Sequence, residues 1–503
     1  MWPTPPQLKQ SGRLSAVRQV SVRRSCGCRD DSSRDEGHGK PEDDWSYRGW
    51  MDWRHGVSPC GGDQGTVAGG GSMKAERVES FEGRRRTSWD VVRGQDQLSR
   101  MLGGFRHGRL ERQMPWQEPR TKPLLLWLQG GPGKSSLFGQ FLENGPLGIN
   151  ASGALYYRHH TLVEQFHVIY LDQPVGSGFS FDKREEYPTT LDQASGHVMR
   201  FLRRFLRLFP EYRGRSFYIA GESYGARSAI GVAEKIMTRY PWELPLHLEG
   251  VMLGVGFIFP LLELINSTDY LYYTGLLDDH GRQLFAQRFD VIQNFVNEGN
   301  LRLAAGLLSQ TVLNLRSGKN QSLYQKLTGF KHHSSVVRAQ RPAEVAAYMS
   351  CANSEEFKNR IHVHPSRTLD GTRMKIAMNL AVGDFFENHT ETLLAVINNR
   401  HVLLYTAQLD AVFPAVNIER CFKNLEWRGQ SQFNKAERSL WYRNDNSSLE
   451  LLGYEKRAGA VTFSTVLFGG HYVSFDRSSA ISDLYKRFLE SRAAGPPGES
   501  EQT

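Results

Sequence analysis

Tyr218-Ile219-Ala220-Gly221-Glu222-Ser223-Tyr224-Gly225 sets a serine between two glycines where a strand pattern gives way to a helical one. Phe217 to Ala220 has the aromatic and β-branched character of a buried strand. From Arg227 to Tyr240 the chain places Ile230, Ala233, Ile236, Met237 and Tyr240 on one face of a helix. The intervening Gly-x-Ser-x-Gly fits a sharp strand-to-helix turn. Its glycines let the backbone reverse tightly, which holds the serine hydroxyl clear of the sheet and near the positive end of the helix.

Working outward, further short apolar runs read as strands at Pro123–Leu128, His167–Leu171, Leu246–Leu253, Val402–Tyr405 and Val461–Leu467, each ending near Gly, Asp or Pro. Helical periods separate them, the pattern of a mostly parallel sheet covered on both faces. One helix carries Val198, Phe201, Leu202, Phe205, Leu206 and Phe209 along a stripe. Arg200, Arg203, Arg204 and Arg207 lie opposite, as a solvated face would. From about 257 to 375 the alternation is interrupted by a long helical pattern around Asp278–Leu315, expected to be an inserted cap. The fold class is α/β, an α/β-hydrolase architecture with a mostly parallel central sheet flanked by helices and a helical cap insertion.

A serine nucleophile in this topology needs an acid and a base downstream, in the order Ser, Asp, His. Val402-Leu403-Leu404-Tyr405-Thr406-Ala407-Gln408-Leu409-Asp410 puts Asp410 just beyond a strand's carboxyl end, where open α/β sheets present functional groups. Phe468-Gly469-Gly470-His471 places His471 on a glycine-rich turn after the next strand. After the first strand, Gln129-Gly130-Gly131-Pro132-Gly133-Lys134-Ser135-Ser136 allows two readings. Gly133-Lys134-Ser135 imitates the end of a phosphate-binding loop, but Leu128 stands where that loop needs its first glycine. Otherwise, its backbone N–H groups converge with that of Tyr224 into an oxyanion hole.

The whole chain has 503 residues, 39 % hydrophobic and 23 % charged, enough apolar content for a large core. Its net charge of +9 arises from 62 basic against 53 acidic residues, a surplus too diffuse to imply a nucleic-acid partner, and none is expected. No apolar run reaches the ~18 residues of a membrane span, and the first 30 residues lack the apolar core of a secretory signal. Cys26, Cys28, Cys60, Cys351 and Cys421 are too scattered for a disulfide framework, and Cys26-Gly27-Cys28 lacks zinc-site spacing. The chemistry calls for no cofactor and no metal. Residues 1–118, rich in Arg, Asp, Ser and Gly, are expected to be a low-complexity or disordered segment, in character like the product of a misplaced gene start; 119–492 form the hydrolase unit and 493–503 a disordered tail.

These residues resemble the serine carboxypeptidase family, most closely its vitellogenic carboxypeptidase-like branch. The likeness runs from about Lys122 to Leu489. It rests on Leu126-Trp127-Leu128-Gln129-Gly130-Gly131-Pro132-Gly133 with Glu143-Asn144-Gly145-Pro146, on Tyr170 through Phe181, on Gly221-Glu222-Ser223-Tyr224, on Tyr405 to Asp410, on Trp427-Arg428-Gly429 and on Gly470-His471. The resemblance implies Ser223 as nucleophile, His471 as general base and Asp410 as its orienting carboxylate, with Gly131 and Tyr224 as oxyanion donors. It also implies that Gln129, Glu143 and Glu222 bind the free C-terminal carboxylate of a peptide or protein substrate. At least one of those glutamates must then be protonated, which implies an acidic pH optimum.

The chain departs from the family at Lys134, at Gly225-Ala226-Arg227-Ser228, at Val255 and Phe259, and at Ser474 and Ser478 in place of prolines. The expected function is C-terminal peptide-bond hydrolysis through an acyl-enzyme. The alternatives are a catalytically impaired binding protein, or an esterase or acyltransferase using the same triad. Sequons at Asn150, Asn266, Asn320, Asn388 and Asn446 and the family resemblance point to a secreted or lysosomal glycoprotein.

Overall fold

The computed structural model describes residues 122–238, 243–313, 321–445 and 448–493. Expectations for residues 1–118, Cys26, Cys28, Cys60, Tyr240, Asn320, Asn446 and the 494–503 part of the tail lie outside the described residues.

Within them the strands are β1 (Leu124–Leu128), β2 (Leu147–Ile149), β3 (Leu155–Tyr157), β4 (His167–Leu171), β5 (Arg215–Glu222), β6 (Leu246–Gly254), β7 (His401–Ala407), β8 (Ser439–Asp445), β9 (Ser448–Ala458) and β10 (Val461–Val466). An eight-stranded sheet runs in the order β4-β1-β5-β6-β7-β10-β9-β8. The strands from β4 to β10 in that order pair in parallel, whereas β9 and β8 add on antiparallel. All six strands expected from sequence form this parallel portion, with ends shifted by a few residues.

Side-chain alternation explains how a nearly unbroken apolar run serves both faces. Leu124, Leu126 and Leu128 of β1 join the core on one side, and Leu125 and Trp127 the core on the other. Phe217 and Ile219 divide from Tyr218 and Ala220 in the same way on β5. Helices α1 (Leu191–Leu208) and α2 (Tyr224–Thr238) supply much of the first core. The second is closed by Ile481, Leu484, Tyr485 and Phe488 from the helix Ser478–Ala493.

Thr190 caps α1 by accepting from the Gln193 amide, and the helix buries Val198, Leu202, Phe205 and Leu206 while Arg200, Arg204 and Arg207 are exposed. Its arginines are thus the solvated side of an amphipathic helix. Between Gly254 and His401 the described residues form helices and connecting turns, including Asp279–Asn297, Leu301–Leu308, Met374–Gly383 and Thr390–Ile397. The β8–β9 hairpin has no counterpart among the expected strands. Charges on its edge obscure the apolar alternation: Arg443 and Glu450 face each other across the ladder and form an ion pair at 2.7 Å. No helix among the described residues is long and apolar enough to cross a membrane.

Candidate active site

Three parallel strands deliver their following residues to one place. Ser223 comes directly after β5, Asp410 three residues beyond β7, and His471 five beyond β10. Ser223 adopts φ +57°, a left-handed conformation that a non-glycine residue pays for in strain and that turns it out of the strand before α2 begins. The turn closes because its glycines touch other backbone. A Cβ on Gly221 would stand 2.2 Å from Gly225 O, and one on Gly225 2.0 Å from Leu128 O.

His471 Nε2 lies 3.0 Å from Ser223 Oγ, and His471 Nδ1 lies 2.8 Å from Asp410 Oδ2. Asp410 is fully buried, and its other oxygen accepts the amides of Val412 and Phe413 at 2.8 and 3.0 Å. With both carboxylate oxygens engaged, the imidazole is oriented to donate from Nδ1 and accept the serine proton at Nε2. The His471 loop is held from the helical segment: the His471 amide donates to Ser334 O at 2.6 Å, and a Cβ on Gly470 would meet that same oxygen at 2.7 Å.

The glycine turn after β1 packs on the serine turn. A Cβ on Gly130 would fall 2.7 Å from Glu222 O, 2.8 Å from Ser223 Cβ and 3.2 Å from Tyr224 N. Gly131 follows at φ +123°, and Tyr224 opens α2, where the first amides have no intrahelical acceptor. Ser135 Oγ and the Ser136 amide both donate to Asp172 Oδ1, at 2.5 and 2.8 Å, and Lys134 Nζ donates to Tyr472 Oη at 3.1 Å. These groups are engaged within the protein rather than arranged as a phosphate cradle.

Beside the triad lie Gln129, Glu143 and Glu222, all buried. Trp127 Nε1 donates to Gln129 Oε1 at 3.0 Å, which leaves the amide NH2 as the remaining donor, on the side of Glu143. Burial, reinforced by the Glu222 charge, pushes the Glu143 carboxyl well above the usual range. Burial likewise raises Glu222 to about 7, against the hydrogen bonds it receives from Ser474 and Tyr405. Tyr405 Oη donates to Glu222 Oε1 at 3.0 Å and meets Tyr485 Oη at 3.1 Å; Ser474 Oγ donates to the same carboxylate oxygen.

Sequence reasoning missed Tyr485 and the grouping of Tyr405 and Ser474 about Glu222. Tyr405 stood in a strand already identified and Ser474 at a noted departure, but their convergence depends on three separate elements. Arg227, another departure, is buried in α2 and forms an ion pair with Asp384 at 2.7 Å; Tyr224 Oη donates to the same Asp384 oxygen at 2.7 Å. Of the sequons, Asn150, Asn266 and Asn388 are exposed.

The sequence profile of the family described as "Serine carboxypeptidase" matches residues 112–491. A venom serine carboxypeptidase from Apis mellifera is 31 % identical, over 75 % of this chain and 79 % of its own length. A vitellogenic carboxypeptidase from Aedes aegypti is 32 % identical, over 73 % of this chain and 76 % of its own. Among solved structures, a prohormone-processing carboxypeptidase from Saccharomyces cerevisiae superposes with a TM-score of 0.59 at 20 % identity, covering 74 % of this chain and 83 % of that one, which supports the fold. The parallel sheet, the turn at Ser223 and these matches lead to one conclusion: the chain belongs to the serine carboxypeptidase family of hydrolases.

Proposed function

We propose that this protein removes the C-terminal residue of peptides through an acyl-enzyme formed on Ser223, with an acidic pH optimum. The observation that carries the reading is the contact chain from Ser223 Oγ through the His471 imidazole to buried Asp410, set beside two buried glutamates.

Ser223 Oγ attacks the scissile carbonyl carbon as His471 Nε2 takes its proton, and Asp410 stabilises the imidazolium. The developing oxyanion is met by the amides of Gly131 and Tyr224. Collapse of the tetrahedral adduct breaks the C–N bond, and His471 returns the proton to the departing amine. Water then attacks the ester by the same route, releasing the shortened peptide and restoring Ser223.

Glu143, Glu222 and Gln129 would hold the substrate's terminal carboxylate. Two ionised glutamates would repel it, whereas protonated carboxyls donate hydrogen bonds to it. Glu222, raised to about 7, carries its proton through the acidic range, which supports activity there. The exposed sequons Asn150, Asn266 and Asn388 support glycosylation and passage through the secretory route to a secreted or lysosomal location.

A fluorophosphonate probe tests the reading. Labelling of Ser223, blocked in Ser223→Ala and His471→Ala, is expected; a folded sample that takes up no label overturns it.

A further inference from the structure

Lys134 stands in the turn that carries Gly131. Its Cγ passes 3.4 Å from the point where a Cβ on Gly131 would lie. From there the side chain reaches toward the loop of the catalytic base: Nζ donates to Tyr472 Oη at 3.1 Å and sits 4.6 Å from the Tyr472 ring centre and 5.0 Å from that of Phe138. Tyr472 directly follows His471. The lysine is only partly buried and has no salt-bridge partner among the described residues.

The neighbouring imidazoles add no competing charge. Burial, with the surrounding cations, holds His332 down at about 2 and His333 at about 3, so both are neutral in the working range. Glu143, in contrast, feels the lysine as a positive charge opposing the effects of burial and Glu222. Lys134 therefore lies electrostatically close to one of the proposed carboxylate-binding groups, while its stem touches the oxyanion turn and its head the residue after the base.

The residue being released must span that same interval. Its carboxylate belongs at Gln129, Glu143 and Glu222, its nitrogen at His471, and a single Cα separates the two. The Lys134 ammonium, held across Phe138 and Tyr472, the residue after His471, borders that interval. In a partly desolvated site, a charge-assisted hydrogen bond to a side-chain carboxylate is stronger than the phenol contact it would displace.

We propose that Lys134 is a specificity-determining residue that favours substrates ending in aspartate or glutamate. The proposal rests on the carboxypeptidase reading above.

Its test compares kcat/KM for peptides identical except for a terminal Glu or Gln, which differ in charge and scarcely in shape. The expected Glu-over-Gln preference is about tenfold, as a charge-assisted hydrogen bond in a partly desolvated site warrants. Lys134→Met, which keeps the stem, should bring the ratio close to one; Lys134→Arg should retain it, and Lys134→Glu should shift preference to terminal Lys. A ratio unchanged in Lys134→Met overturns the proposal, since it makes the lysine a ligand of the main-chain carboxylate or a turn support. Calorimetric binding of the same peptides to Ser223→Ala separates this failure from that of the hydrolytic reading. Tighter binding of the Glu peptide without hydrolysis by the wild type would sustain Lys134 and strike the mechanism; equal binding would strike Lys134 whatever the activity.

Discussion

Replacing Glu222 with glutamine isolates the group on which the pH dependence turns. The native carboxyl is 2 % exposed and raised to about 7, so its protonated fraction falls from about 0.9 at pH 6 to about 0.1 at pH 8. If the protonated form binds the substrate carboxylate, kcat/KM for a free-acid peptide falls about tenfold over that interval. Glutamine offers an N–H donor at every pH, so Glu222→Gln should flatten the alkaline fall. The same displacement acts on stability. A carboxyl whose folded pKa is raised from 4.5 to about 7 stabilises the fold fully below 4.5 and loses that contribution as pH rises through 7, by roughly 3 kcal/mol. Wild-type Tm should therefore decline from pH 5 to pH 8, and less steeply in Glu222→Gln. Steady-state hydrolysis and thermal unfolding across pH 5–8 are the assays. A wild-type kcat/KM that keeps rising through pH 8, or an alkaline limb identical in the variant, would exclude protonated Glu222 as the carboxylate donor.

Two other substitutions probe the scaffold of the site. Gly130→Ala places a methyl 2.7 Å from Glu222 O and 2.8 Å from Ser223 Cβ, so the serine turn must shift; kcat/KM should fall on the order of 100-fold with the circular dichroism spectrum retained, and wild-type activity would contradict the packing. Arg227→Met leaves the Asp384 carboxylate, 1 % exposed, without its guanidinium, and urea unfolding should show a loss of about 3–5 kcal/mol. A loss under about 1 kcal/mol would mean that the hydrogen bonds to Asp384 from Tyr224, Leu191 and His389 suffice alone.

Local signals make the central fold legible in the sequence. The strand, glycine turn and helix around Ser223 are contiguous, and Asp410 and His471 follow strands whose apolar runs stand out in sequence. What stayed hidden is carried by distant pairs. Arg227 looks like the loss of a usual residue until α2 brings it against Asp384, 157 positions on. Ser474 looks like a missing proline until its hydroxyl meets Glu222, 252 positions earlier. The β8–β9 hairpin escaped for another reason: its charges pair across the ladder, so neither strand alone shows a clean apolar face.

The most direct measurement of the central claim is mass-spectrometric analysis of one peptide incubated at pH 5 with a free and with an amidated C-terminus. Stepwise loss of single residues from the free acid is expected, with little from the amide and none from either with Ser223→Ala. Equal cleavage of both forms, internal cleavage, or release that survives Ser223→Ala would contradict it.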